Sequence, residues 1–176
     1  MEYTNNLNFL NMGLITLGLS VIKVGTAAPT GTMPGTLTKI GKTYKDTCKI
    51  GQDAADVTEH FEEGKAAPEI RKKSRKIPKL TFSLMDADAK MLADYVGGVA
   101  SGLEGEESWA YDGDELVANK SVLVETEQGL NFEIPNADIE AVINADMSAK
   151  GIFLVEFVVT PLAVASGKAI RGVPKA

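Results

Sequence analysis

The chain has 176 residues, 44% hydrophobic and 24% charged, with a formal net charge of -6 and a single cysteine. That length suits one domain with a proper buried core, and that composition argues against both wholesale disorder and a membrane-embedded protein. The acidic balance argues against a surface that binds nucleic acid throughout, because phosphate contacts need clustered Lys and Arg.

The first apolar run, LNFLNMGLITLGLSVIKV, is broken by Asn11, Thr16, Ser20 and Lys23 and follows no basic segment. It reads as strand rather than as a signal peptide or a spanning helix, which needs about 20 predominantly apolar residues. TAAPTGTMPGT, 26–36, is a connection. GTLTKIGKT, from Gly35 to Thr43, resembles a phosphate-binding loop, but five residues separate its glycines where the motif needs four. The YKDTCKI that follows alternates like a strand, so no helix N-terminus is offered to a phosphate. Cys48 has no cysteine partner, and His60, the sole histidine, cannot complete a Cys/His metal site with it.

Residues 54–79 read as a projecting charged hairpin. Asp56, Glu59, Glu62 and Glu63 lie on its first arm, and Arg71, Lys72, Lys73, Arg75, Lys76 and Lys79 on its second, after a turn region with Gly64 and Pro68. Opposite charges facing each other across a ladder contribute about 0.2 to 1 kcal/mol per pair. That accounts for the arrangement but not for the excess of cations. An arm of about 10 extended residues reaches roughly 33 Å, beyond the body of a small sandwich. Such an arm suits a surface of opposite sign, and an acidic molecule carries one itself, so self-association is expected.

PKLTFSLM alternates Leu80, Phe82 and Leu84 with Lys79, Thr81 and Ser83, a strand with one core face. MDADAKMLADYVGG is the one firm helix: Asp86 or Asp88 can cap it, Met91, Leu92, Tyr95 and Val96 form its stripe, and Gly97-Gly98 ends it. GLEGEES and YDGDE are connections. KSVLVETEQGLNFEIP reads as a hairpin turning at Glu127-Gln128-Gly129, its return strand stopped by Pro135. ADIEAVI alternates Ile139, Ala141 and Ile143 against Asp138, Glu140 and Val142. GIFLVEFVVTPL is apolar on both faces and is expected to be covered on both, in a sandwich centre or at a subunit contact. The last residues, 166–176, lose the pattern and read as a loose tail or as an arm that orders on a partner. The fold class is therefore mainly β (α+β): one domain over 1–176, an antiparallel β-sandwich or barrel with one flanking helix and a long charged hairpin or loop.

No residues are assigned to catalysis, a cofactor or a metal, and an enzyme is not expected. His60 lacks a positioned nucleophile. Asp86 and Asp88 begin like a calcium loop, but Met91 and Gly97 stand where Gly and a bidentate Glu are required. Asp112 and Asp114 fail in the same way and read as turn acids. Trp109 and Tyr111 read as packing aromatics on a strand.

GKTYKDTCKIGQDAADVTEHFEEGKAAPEIRKKSRKIPKLTFSLMDADAKMLADYVGG, followed by IPNADIEAVINADMSAKGIFLVEFVVTPL, resembles the major tail tube proteins of long-tailed bacteriophages, especially those of Bacteroides-type hosts or prophages. The resemblance covers about two thirds of the chain and rests on the order of elements, not on a catalytic signature. It implies a β-sandwich or barrel with one flanking helix and a long loop or hairpin. Six copies would join into a ring, and rings would stack into the hollow virion tail tube that conducts the genome. It further implies assembly in the bacterial host cytoplasm, no membrane insertion, and tail-tip or baseplate, tape-measure and tail-terminator proteins as partners besides the chain itself. Phage DNA would pass without sequence-specific binding, since an acidic bore repels a polyanion that a basic bore would hold. Glu59, Glu62, Glu63, Arg71, Lys72, Lys73, Arg75 and Lys76 are then the expected subunit or ring interface, the cations meeting the acids of another copy. Related expectations are a tube of a contractile or type VI-like injection device. A monomeric adhesion module built on Trp109 and Tyr111, or a nucleic-acid module using the basic arm, are rivals from other classes.

Overall fold

The structure, a computed structural model, describes residues 14–175. The chain forms β1 (Leu17–Thr26), β2 (Thr38–Lys39), β3 (Lys49–Gly51), β4 (Asp56–His60), β5 (Ile70–Ser74), β6 (Lys79–Leu84), α1 (Ala89–Tyr95), β7 (Val99–Ser101), β8 (Ser108–Ala110), β9 (Asn119–Gln128), β10 (Leu130–Ala145), β11 (Phe153–Pro161) and β12 (Arg171–Pro174). It is mainly β, paired antiparallel throughout, with one short helix, as the period-two pattern leads one to expect. The part of the first expected strand over 7–13 lies outside the described residues.

The main sheet runs β2-β1-β9-β10-β11-β6-β3, with β12 added to β10. Its two ends belong to one segment, 38–51. Thr38 and Lys39 pair with β1 and Ile40 N–H donates to Ile22 O at 3.1 Å; a few residues later Tyr44 N–H donates to Ser83 O at 2.8 Å, and Lys49–Gly51 pair with β6. This segment bridges the sheet's ends without pairing β2 to β3, and the outer edge of β1 before Ile22 has no partner strand among the described residues.

The interior follows from alternation along each strand. Ile22 and Val24 of β1, Leu80, Phe82 and Leu84 of β6, Val122 and Val124 of β9, and Val155, Phe157 and Val159 of β11 all point inward and are buried. Phe82 and Phe157 sit opposite each other in the register and stack, centroids 5.0 Å apart. The alternation would fail in β10, where buried Ile134 and Ala137 are three residues apart, but the register shifts between them. Pro135 therefore does not stop a strand: it sits in a β-bulge, where a missing N–H costs no ladder bond, and one 16-residue strand replaces the two expected there.

The turn between β9 and β10 is set by Gly129, whose φ of +94° suits a residue without Cβ; a Cβ there would also meet the backbone of Thr16 at 2.5 Å. Helix α1 begins at Asp88, whose carboxylate accepts Met91 N–H at 2.7 Å. Asp86 instead accepts Lys42 N–H at 2.7 Å, fixing the bridging segment. The apolar stripe of α1 covers the interior: Leu92 is buried and Tyr95 meets Phe157 edge-on at 5.4 Å. The outer face of β11 is more open than its apolar sequence suggests, with Leu154 and Val158 half-buried and Glu156 exposed.

The expected loose tail is corrected at 171–175. β12 pairs with Leu130–Glu133, Arg171 binds Glu133 at 2.8 Å, and Lys175 donates from Nζ to the Thr126 and Glu127 carbonyls at 2.9 and 3.0 Å. These bonds use the half of β10 that β11 leaves unpaired.

Candidate assembly surface

The charged hairpin is formed by β4 and β5 in the register Asp56↔Ser74, Val57↔Lys73, Thr58↔Lys72, Glu59↔Arg71 and His60↔Ile70. Strand alternation places Glu59, Arg71, Val57 and Lys73 on one face and Thr58, Lys72, His60 and Ile70 on the other. Glu69 N–H donates to His60 O at 2.8 Å and Lys65 N–H to Glu62 O at 3.0 Å, shaping the tip; Gln52 Nε2 donates to Lys76 O at 2.6 Å at the root. Every residue of both strands is exposed, and the two strands pack on no other element of the described chain. A two-stranded hairpin without an apolar face to bury is at best marginally stable in water.

Within the hairpin the charges are only partly matched. Arg71 Nε meets Glu59 at 2.9 Å, Lys76 binds Asp56, and Lys65 binds both Glu62 and, at 3.1 Å, Glu69. The carboxylates raise Lys65 and Lys76 above the ordinary lysine range, Glu62 acting most strongly on the first and Asp56 on the second. Of the eight residues expected at an interface, Glu59, Glu62, Arg71 and Lys76 thus have partners inside their own hairpin, whereas Glu63, Lys72, Lys73 and Arg75 have no ion pair among the described residues.

A second charged surface went unread in the sequence. Between Met91 and Asn119 stand seven carboxylates and no Lys, Arg or His. One of them, Asp94, is paired with Lys90 at 2.8 Å. The other six are Glu104, Glu106 and Glu107 at the tip of the β7–β8 hairpin and Asp112, Asp114 and Glu115 just after it; none has an ion pair among the described residues. Asp112 accepts Asp114 N–H at 3.1 Å, as a turn acid does. This small hairpin, unlike the basic one, is anchored to the body. It packs on α1, and Trp109 Nε1 donates to Gly97 O at 2.7 Å. Trp109 is thus half-buried packing, while Tyr111 is 62% exposed beside it.

The residues weighed for chemistry are not brought together. His60 stands on the exposed hairpin, and Cys48 lines a cleft of about 820 Å³ at one end of the main sheet, with Lys39, Lys42, Tyr44, Glu127 and Phe132 among its walls. Burial pushes the Cys48 thiol up, away from the thiolate a nucleophile needs. No helix follows the glycine segment 35–41 to receive a phosphate. No described helix is long and apolar enough to cross a membrane.

No family model matches the chain, and a search of curated proteins finds no match.

Proposed function

We propose that the protein is a structural subunit that self-assembles into stacked rings, the hollow tail tube of a long-tailed bacteriophage. The observation that carries this reading is the division of labour in the fold: a well-packed β body bearing one charged hairpin that packs on none of it. A segment of such composition gains nothing from burial in its own chain, so its stabilising contacts lie on another surface. The resemblance of 41–98 and 134–162 to tail tube proteins supports the same reading. A net charge of -6 suits a conduit that must not hold a passing polyanion.

Negative-stain microscopy of the concentrated protein tests the proposal. Annular particles and hollow tubes of uniform width are expected. Dispersed particles of monomer size at every concentration, with or without a tail-tip fraction as nucleus, would contradict it.

A further inference from the structure

We propose that the basic strand of the hairpin docks on the acidic β7–β8 unit of a second copy of this chain. The proposal rests on the self-assembly reading and names the two surfaces that meet. The hairpin is a sheet with neither face partnered, and its unmatched cations are all on one strand and its continuation, Lys72, Lys73 and Arg75, against the single unmatched acid Glu63 near the tip. Of the acids on the first arm, Asp56, Glu59 and Glu62 are engaged at home, which leaves Glu63 alone against three cations. A cluster of six carboxylates without an ion pair among the described residues lies elsewhere, on Glu104, Glu106, Glu107, Asp112, Asp114 and Glu115.

Dimensions agree as well as sign. Lys73 and, by continued alternation, Arg75 share one face of the hairpin two strand steps apart, about 7 Å, with Lys72 on the other face. The β7–β8 ladder has three residue pairs and spans two strand steps, also about 7 Å. Both surfaces add exposed apolar side chains that a contact would cover: Val57 on the Lys73 face of the hairpin, and Val99, Leu103 and Val117 on the acidic unit. The two surfaces do not touch within one chain. They are different patches, so the contact between copies is heterologous and repeats, giving a ring if the rotation closes and a stack or filament if it does not.

The test is zero-length carbodiimide cross-linking of an equal mixture of unlabelled and ¹⁵N-labelled protein, read by mass spectrometry. The expected products are mixed-isotope peptides joining Lys72 or Lys73 to carboxylates within 104–115. In parallel, the triple reversal Lys72→Glu, Lys73→Glu, Arg75→Glu is expected to weaken self-association roughly tenfold or more. The reversal Glu104→Lys, Glu106→Lys, Glu107→Lys is expected to do the same, and mixing the two variants to restore association. Five of the six positions are exposed and Glu107, half-buried, accepts only Gly105 N–H within its own loop, so thermal melts of both variants should stay close to the wild type. Tubes that form unchanged from either variant, or self-associated protein whose cross-links lie only elsewhere or within one chain, overturn this pairing and leave the tube reading standing. The expected cross-links in an assembly that is never a ring or a tube uphold the pairing and remove the tube reading. A chain that neither associates nor cross-links between copies overturns both.

Discussion

Arg71 on β5 reaches Glu59 on β4 across the hairpin at 2.9 Å, closing within one chain a pair that the charge pattern alone would allow between two. Both side chains are well exposed to water, so the pair contributes at most about 1 kcal/mol. Arg71→Ala is therefore expected to shift the thermal midpoint only slightly, in contrast to its unpaired neighbours, whose reversal acts on association. A thermal melt of Arg71→Ala beside a concentration series of the Lys73→Glu variant separates the two roles.

The hairpin has no layer beneath it, and its amides bond only across one two-stranded ladder. Backbone amides of 57–73 are thus expected to exchange rapidly in the monomer, while those of β9, β10 and β11 stay protected, and to become protected on assembly. Hydrogen exchange read by mass spectrometry checks this. Strong protection across 56–79 before assembly would show that the hairpin is stable by itself.

Phe157 lies where three elements meet, stacked on Phe82 from β6 and capped edge-on by Tyr95 from α1. Phe157→Ala removes a ring that is 1% exposed and leaves a cavity bounded by a rigid sheet. A loss of about 3 to 5 kcal/mol is expected in urea titration, with the helix loosened as well. Phe157→Leu, which keeps most of the volume, should lose less.

Cys48 is half-buried in the wall of the cleft, and burial raises its thiol from the ordinary value of 9.0. Less thiolate is present at any given pH in the folded chain than in the unfolded one, so alkylation by iodoacetamide at pH 8 should be slow and should accelerate on denaturation. The linkage has a fixed sign. The native state keeps its proton while the unfolded thiol gives its own up, so this group subtracts stability as pH rises through 9.0 and above. A Cys48→Ser variant should lose that part of the alkaline decline.

Much of the body was legible because single strands announce themselves by period. Leu80, Phe82 and Leu84, and Val155, Phe157 and Val159, alternate cleanly, and the stripe of α1 with Asp88 before it and Gly97-Gly98 after it marks a helix at both ends. The charged hairpin was legible from its turn residues and its opposed charges. What failed were features that depend on a neighbour. Pro135 reads as a stop unless a bulge absorbs it, and the bulge is revealed only by Ile134 and Ala137 both being buried. β12 has too few residues to show a period and is a strand because β10 has an unpaired half beside it. Trp109 was read on a strand, but β7 and its pairing with β8, three residues each, were hidden by the acidic, glycine-rich loop between them, and the nearby carboxylates read as ordinary turn residues. The bridging of the sheet's two ends by 38–51 is a property of pairing at both ends of that segment, which no local pattern encodes.

Light scattering coupled to size-exclusion chromatography, run on the wild-type protein over a range of concentrations and salt, tests the central claim most directly. The account predicts species far heavier than the 18.7 kDa chain that grow with concentration and recede as salt screens the charged contacts. A mass of one chain under every condition would contradict it.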